Sequence, residues 1–273
     1  MSQRKLVYRS VFLSDLHLGS AGSQADRITR LLAHVECDNL YLVGDIIDAW
    51  VGGRAIRWRK SHETALLALL NQTQPRCRVR YTPGNHDAVM RRFIGIRLFT
   101  LEIENTFDHV TPDGRTFLVI HGDGFDKFVT TYKPFAWTLA WMYEMLSRAN
   151  DAVNRIRVGT GRAPTDFSKR LKKRVKHLTE RFTHFEEQLT TYAREHGYEG
   201  VVCGHVHKPA LHSAENGLSY VNTGDWVENC TYVVEHYNGE FELIRWDDIE
   251  IEVNRLEKLR ELSKERPPTS PAE

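Results

Sequence analysis

The chain has 273 residues, enough for one large domain or one domain carrying an inserted cap. It is 41% hydrophobic and 27% charged, the balance of an ordinary globular protein, and its net charge of +1 gives no general reason to expect a nucleic-acid partner. Four scattered cysteines without a C-x-x-C pair, no secretory signal ahead of the first polar motif and no membrane-length apolar run point to a cytoplasmic protein, with peripheral contact at the inner membrane left open.

The first predicted strand, Ser10–Ser14 (SVFLS), runs directly into Asp15-Leu16-His17. A helix-like stretch over Asp26–Val35 leads to a second strand, Leu40–Val43 (LYLV), which ends in Gly44-Asp45-Ile46-Ile47-Asp48. A basic run follows, with Arg54 and Arg57 as candidate contacts to a diphosphate. A second helix is expected over Ser61–Leu70. The third strand, Cys77–Tyr81 (CRVRY), precedes Gly84-Asn85-His86-Asp87. The fourth, Phe117–Ile120 (FLVI), delivers His121-Gly122-Asp123. Val201–Cys203 (VVC) leads to Gly204-His205-Val206-His207, with Lys208 beside it, and Leu218–Val221 (LSYV) is the last strand in the pattern. Strands alternating with helices imply an α/β domain, and polar motifs after strand ends lie where open α/β sheets bind ligands.

Residues 125–197 break this rhythm and are read as a helical insert over a core of 1–124 and 198–255. Phe135–Leu146 (FAWTLAWMYEML) is apolar nearly all round. Leu171, Val175, Leu178, Phe182, Phe185, Leu189 and Tyr192 then form one helical face ending at Gly197, with basic residues opposite. Trp137 and Trp141 are candidates to line an acyl groove, and the basic face suits anionic lipid headgroups. A hairpin packed on its own core, with a solvated basic face, reads the same residues equally well. Residues 256–273 are expected to form a polar, disordered tail.

The five motifs supply carboxylates, imidazoles and an amide, donors suited to Mn²⁺, Fe²⁺ or Zn²⁺. In an extended segment residues i and i+2 face the same way, so Asp15 with His17, and His205 with His207, are each expected to aim at one point.

The order D-x-H, G-D-x-x-D, G-N-H-D, H-G-D, G-H-x-H, running from Ser14 to about Trp226, resembles the calcineurin-like metallophosphoesterase superfamily. That resemblance implies two facing mixed β-sheets flanked by helices. It implies two divalent cations, with Mn²⁺ favoured. Asp15, His17 and His207 would hold the first, Asn85, His121 and His205 the second, and Asp45 would bridge them. A hydroxide bridging cations about 3.5–4 Å apart would attack phosphorus, with His86 as the acid and Asp48 orienting it.

Ser14–Leu18, Gly44–Gly52, His121–Asp123 and Gly204–Pro209 further resemble the UDP-2,3-diacylglucosamine diphosphatases of lipid A synthesis, implying a nucleotide-linked lipid sugar as substrate. His86 stands where that group commonly has Arg, and His can serve as an acid near neutral pH where Arg cannot. A phosphoesterase for phosphoprotein, cyclic nucleotide or dinucleotide is the second reading. A non-catalytic regulatory module is the third.

Overall fold

The computed structural model describes residues 5–48, 58–72, 77–125 and 185–264. In chain order these form β1 (Leu6–Leu13), α1 (Ala25–His34), β2 (Val35–Val43), α2 (Lys60–Asn71), β3 (Arg78–Thr82), β4 (Arg97–Leu98), β5 (Leu101–Ile103), β6 (Phe107–Val110) and β7 (Thr116–Val119). Then come α3 (Phe185–Glu195), β8 (Gly200–Cys203), β9 (Ala210–Ser213), β10 (Ser219–Asn222), β11 (Thr231–Glu235), β12 (Phe241–Arg245) and α4 (Trp246–Lys264).

Two mixed sheets result. The seven-stranded sheet has the order β12-β11-β1-β2-β3-β5-β4, and the five-stranded sheet β6-β7-β8-β10-β9. Each has a parallel centre, β1-β2-β3-β5 in one and β7-β8-β10 in the other, with antiparallel strands outside. Period-two alternation splits the large sheet's side chains between two cores. Phe12, Tyr41, Val43 and Val233 pack with Phe107, Phe117, Val119, Val202 and Val221 of the other sheet. Phe12 and Tyr41 stack at 4.6 Å and 10° there. From the opposite face Val11, Leu13, Leu40 and Leu42 pack with Ile28, Leu31 and Leu32 of α1, Ala65 and Leu69 of α2, and Val253 of α4. Burying each of the Val, Leu, Ile and Phe side chains is worth about 1.5–3 kcal/mol. The expected sandwich of two mixed sheets flanked by helices is therefore the fold observed.

Helix α1 passes into β2 without a loop. His34 is the last helical residue and Val35 is already extended (φ −96, ψ 143), a conformation its branched β-carbon favours. The connection aligns β2 parallel to β1 over seven paired positions from Leu6↔Val35 to Leu13↔Leu42. Asp15 and Asp45 thereby emerge side by side from neighbouring strands.

The chain divides into two compact units, 1–122 with 190–273, and 123–189. Within the second, only 123–125 and 185–189 are described. Trp137, Trp141 and most of the expected insert lie outside the described residues, as do Arg54 and Arg57. Helix α3 ends as expected, with Gly197 at φ 81 donating to Arg194. The tail expected from 256 is corrected: α4 continues to Lys264, because Val253 is fully buried and anchors it. Among the described residues no helix is long and apolar enough to cross a membrane.

Candidate metal centre

Six parallel-strand ends converge, three from each sheet, and their polar motifs meet beyond those ends. The strand pairing continues into the loops. Asp15 N–H donates to Gly44 O at 3.0 Å, His17 N–H to Asp45 O at 2.9 Å and Asp48 N–H to Leu18 O at 2.8 Å. On the other sheet Gly204 N–H donates to His121 O at 3.2 Å.

Two groups of donors form. In one, Asp15 Oδ1 lies 3.1 Å from His207 Nε2 and 3.8 Å from His17 Nε2, and those two nitrogens are 3.3 Å apart. In the other, Asp45, His121 and His205 bring one ligand atom each within 4.8 Å of the others. Asp45 joins the two: its Oδ2 is 3.4 Å from His121 Nε2 and 4.0 Å from His17 Nε2. A further grouping of His17, Asp45 and His86 overlaps both. Each of the two main groups takes residues from both sheets.

The backbone is bent to this purpose. Asp15 (φ 53), His17 (φ 46), Asp45 (φ 54), His205 (φ 69) and His207 (φ 52) all occupy the left-handed region. Residues without a glycine's freedom rarely do so, at roughly 1–3 kcal/mol each, and such outliers gather at functional sites. The extended geometry expected for D-x-H and H-x-H is therefore corrected. Asp15 and His17 still share a group, but His205 and His207 separate, one to each. Two glycines allow the close approach. A β-carbon at Gly84 would collide with Asp45 Oδ1, and one at Gly204 would lie 2.5 Å from Asp15 Oδ2.

The donors fit cations. His121 Nδ1 sits 2.8 Å from Val43 O, a carbonyl that can only accept, so Nδ1 carries the proton and the Nε2 lone pair faces Asp45 Oδ2. Asp15 Oδ1 and Asn85 Oδ1 are buried and make no hydrogen bond. A buried acceptor left without a donor is costly, and a bound cation satisfies it. Burial holds His17 below its ordinary pKa despite Asp15 and Asp45, which keeps its lone pair available.

His86 Nδ1 lies 3.0 Å from Asp48 Oδ1, the pairing expected of an oriented acid. Burial would lower this imidazole, but the Asp48 hydrogen bond and the charges of Asp45 and Asp15 outweigh it and raise its pKa. Lys208 is exposed one residue beyond His207. Asp87 is fully buried and ties the 84–87 loop to the 44–48 loop.

A set of supporting residues was not foreseen. Ser14 Oγ donates to Asp15 Oδ2 at 2.5 Å and lies 2.5 Å from Thr223 Oγ1. Asn222 Nδ2 donates to Gly204 O at 2.9 Å. Asn229 Nδ2 donates to His207 O at 3.0 Å and to buried Asp225. The available signal was Asn222-Thr223-Gly224-Asp225, a sixth polar motif directly after an apolar strand.

The calcineurin-like phosphoesterase family model matches residues 8–209. A protein named UDP-2,3-diacylglucosamine hydrolase from Shewanella sp. (strain W3-18-1) is 26% identical over 235 residues, covering 81% of this chain and 90% of its own. The protein of that name from strain ANA-3 is 24% identical over 242 residues, covering 85% and 95%. Among solved structures, a novel archaeal phosphodiesterase covers 86% of this chain and 98% of its own at 11% identity, with a TM-score of 0.41. Vacuolar Protein Sorting 29 from Cryptosporidium parvum covers 86% and 94% at 11% identity, with a TM-score of 0.42. At those scores the fold assignment rests on the sheets themselves.

Proposed function

Because the chain belongs to the calcineurin-like phosphoesterase family, whose members are metal-dependent hydrolases, we propose that it is a two-metal diphosphatase acting on UDP-2,3-diacylglucosamine or a related nucleotide-linked lipid sugar. The supporting observation is Asp45, a single carboxylate shared by two donor groups whose backbones are held left-handed.

Asp15, His17 and His207 would hold one cation, Asn85, His121 and His205 the other, and Asp45 both. Mn²⁺ is favoured, and the same donors suit Fe²⁺ or Zn²⁺. When bound, such a pair supplies Lewis acidity that lowers the pKa of the attacking water and offsets charge growing on the phosphate oxygens. His86, oriented by Asp48, gives a proton to the leaving oxygen. Water adds to one phosphorus of the diphosphate and the bridging P–O bond breaks, releasing UMP and the lipid monophosphate.

The substrate assignment draws on the relatives' names and on the sequence of the insert. In this reading 1–124 and 198–255 form the catalytic core and 125–197 the cap. Trp137 and Trp141 line the acyl groove, and Arg54, Arg57 and Lys208 meet the diphosphate. The enzyme works in the cytoplasm at the inner-membrane surface.

The test is Mn²⁺-dependent release of UMP from UDP-2,3-diacylglucosamine in detergent, with UDP-N-acetylglucosamine and a chromogenic phosphodiester in parallel. UMP from the acylated substrate alone is the expected result. Hydrolysis of the chromogenic ester alone overturns the substrate and favours the second reading, a phosphoesterase for soluble esters. The His86–Asp48 pair speaks for that reading, since it equips the site for leaving groups that need a proton.

A further inference from the structure

The segment after the Gly84–Asp87 loop carries a surface that neither the metal centre nor the core explains. Residues 88–103 read AVMRRFIGIRLFTLEI, with three arginines and one acidic residue, Glu102. They form a 3₁₀ turn, Ala88–Phe93, and then the β4–β5 hairpin. Leu98 pairs with Leu101, so Phe99 and Thr100 make a two-residue turn. Phe99 sits at φ 54 and is 90% exposed. Glycine, asparagine or aspartate closes such a turn with little strain, whereas a bulky side chain at positive φ is an outlier. No burial compensates for it here. Val89, Phe93, Ile96 and Leu98 are exposed beside it, interleaved with exposed Arg91, Arg92 and Arg97.

We propose that this strip docks the protein on an anionic lipid bilayer. The Phe99 tip, with Leu98, Ile96 and Phe93, enters the boundary between headgroups and acyl chains, and Arg91 and Arg92 meet lipid phosphates. A bilayer surface is apolar beneath and anionic above, the complement of a projecting apolar tip flanked by exposed Arg91 and Arg92, while Arg97 lies 3.5 Å from Glu102 across the hairpin. The strip begins two residues after His86, so docking holds the metal centre near the headgroup plane. The inference deepens the proposed reading of an enzyme at the inner-membrane surface by naming the face that docks, and it is independent of the substrate.

The experiment is co-sedimentation of the full chain with phosphatidylcholine vesicles, with and without phosphatidylglycerol. Wild type is expected to sediment with the anionic vesicles and largely to remain in solution with the neutral ones. Phe99→Asn suits the left-handed turn and keeps the fold. It should lower partitioning about tenfold while preserving the melting temperature and hydrolysis of a soluble chromogenic ester. Arg92→Glu should lower it as well, most at low salt. Wild type that ignores anionic vesicles, or Phe99→Asn that binds them unchanged, overturns the proposal. So does a Phe99→Asn that only abolishes self-association in sedimentation velocity, since the strip would then be a protein interface. Vesicle binding without UMP release keeps the surface and removes the substrate; UMP release without vesicle binding does the reverse.

Discussion

Asp87 Oδ2 accepts the backbone N–H of Ile46 at 2.7 Å, fastening the 84–87 loop to the 44–48 loop. The same oxygen accepts Tyr81 OH at 2.5 Å, and Oδ1 accepts Gly84 N–H at 2.6 Å. A buried carboxylate with three donors cannot become an amide without turning an NH₂ toward one of them. Asp87→Asn is expected to cost roughly 1.5–3 kcal/mol in urea unfolding and to weaken metal binding in calorimetry. Tyr81→Phe, which removes one donor, should cost about 1 kcal/mol.

Asp45 serves both donor groups, so its loss should empty both. Asp45→Ala is expected to lack both cations by elemental analysis and to lose detectable turnover. Gly84→Ala offers a sharper comparison, because it leaves every donor in place but drives a β-carbon into Asp45 Oδ1. It should reproduce much of the metal loss. Full metal content in Gly84→Ala would show that the loop yields where the packing says it cannot.

The His86–Asp48 contact predicts a dependence on the leaving group. His86→Ala should retain both metals yet lose about 10²–10⁴-fold in turnover of an alkyl ester. The loss should shrink for a nitrophenyl ester, whose leaving oxygen needs no proton. Asp48→Asn should fall between wild type and His86→Ala, with the same order of substrates. Equal losses across leaving groups would assign His86 a structural role instead.

Glu235, fully buried on β11, accepts Arg9 Nη1 at 2.6 Å and Ser10 Oγ at 2.7 Å, and lies 3.1 Å from His109 Nε2. Burial would raise its pKa, but His109, Ser10 and Arg9 outweigh it and hold it below the ordinary value. A carboxyl depressed on folding stabilises fully above its unfolded value, about 4.3, and loses that stabilisation as pH falls through the folded value. Glu235→Gln should therefore be less stable than wild type at pH 7, by about 2–4 kcal/mol. The gap should narrow below about pH 5. Urea midpoints across pH measure both.

The sequence made the ligand motifs legible because each follows an apolar strand and each carries chemistry that turns seldom need. The family resemblance implied the partition of His205 from His207, but spacing alone did not. The i, i+2 rule presumes extended backbone, and left-handed conformations at both residues follow from tertiary contacts that spacing does not encode. Ser14, Asn222, Thr223 and Asn229 were hidden for another reason. Small neutral polar residues look the same in a solvated turn as behind a ligand. The continuation of α4 past 256 was in principle readable, since Ile249, Val253 and Leu256 recur at helical spacing, but the Pro-rich end of the chain drew the boundary too early.

Each donor group draws on both sheets, Asp15 and His17 with His207, and Asp45 with His121 and His205. A bound cation is then a rivet through the sandwich, adding to the Phe12–Phe117 layer and to the Ser14–Thr223 and His109–Glu235 contacts between the sheets. Loading should register as mechanical and thermal reinforcement far from the chemistry. The melting temperature should climb with free Mn²⁺ as the logarithm of its concentration and fall back in chelator, with no substrate present. The rivet also sets an order of assembly. Neither of the two main donor groups is complete in a fragment containing one sheet, so the two-metal centre comes into being only with the completed fold.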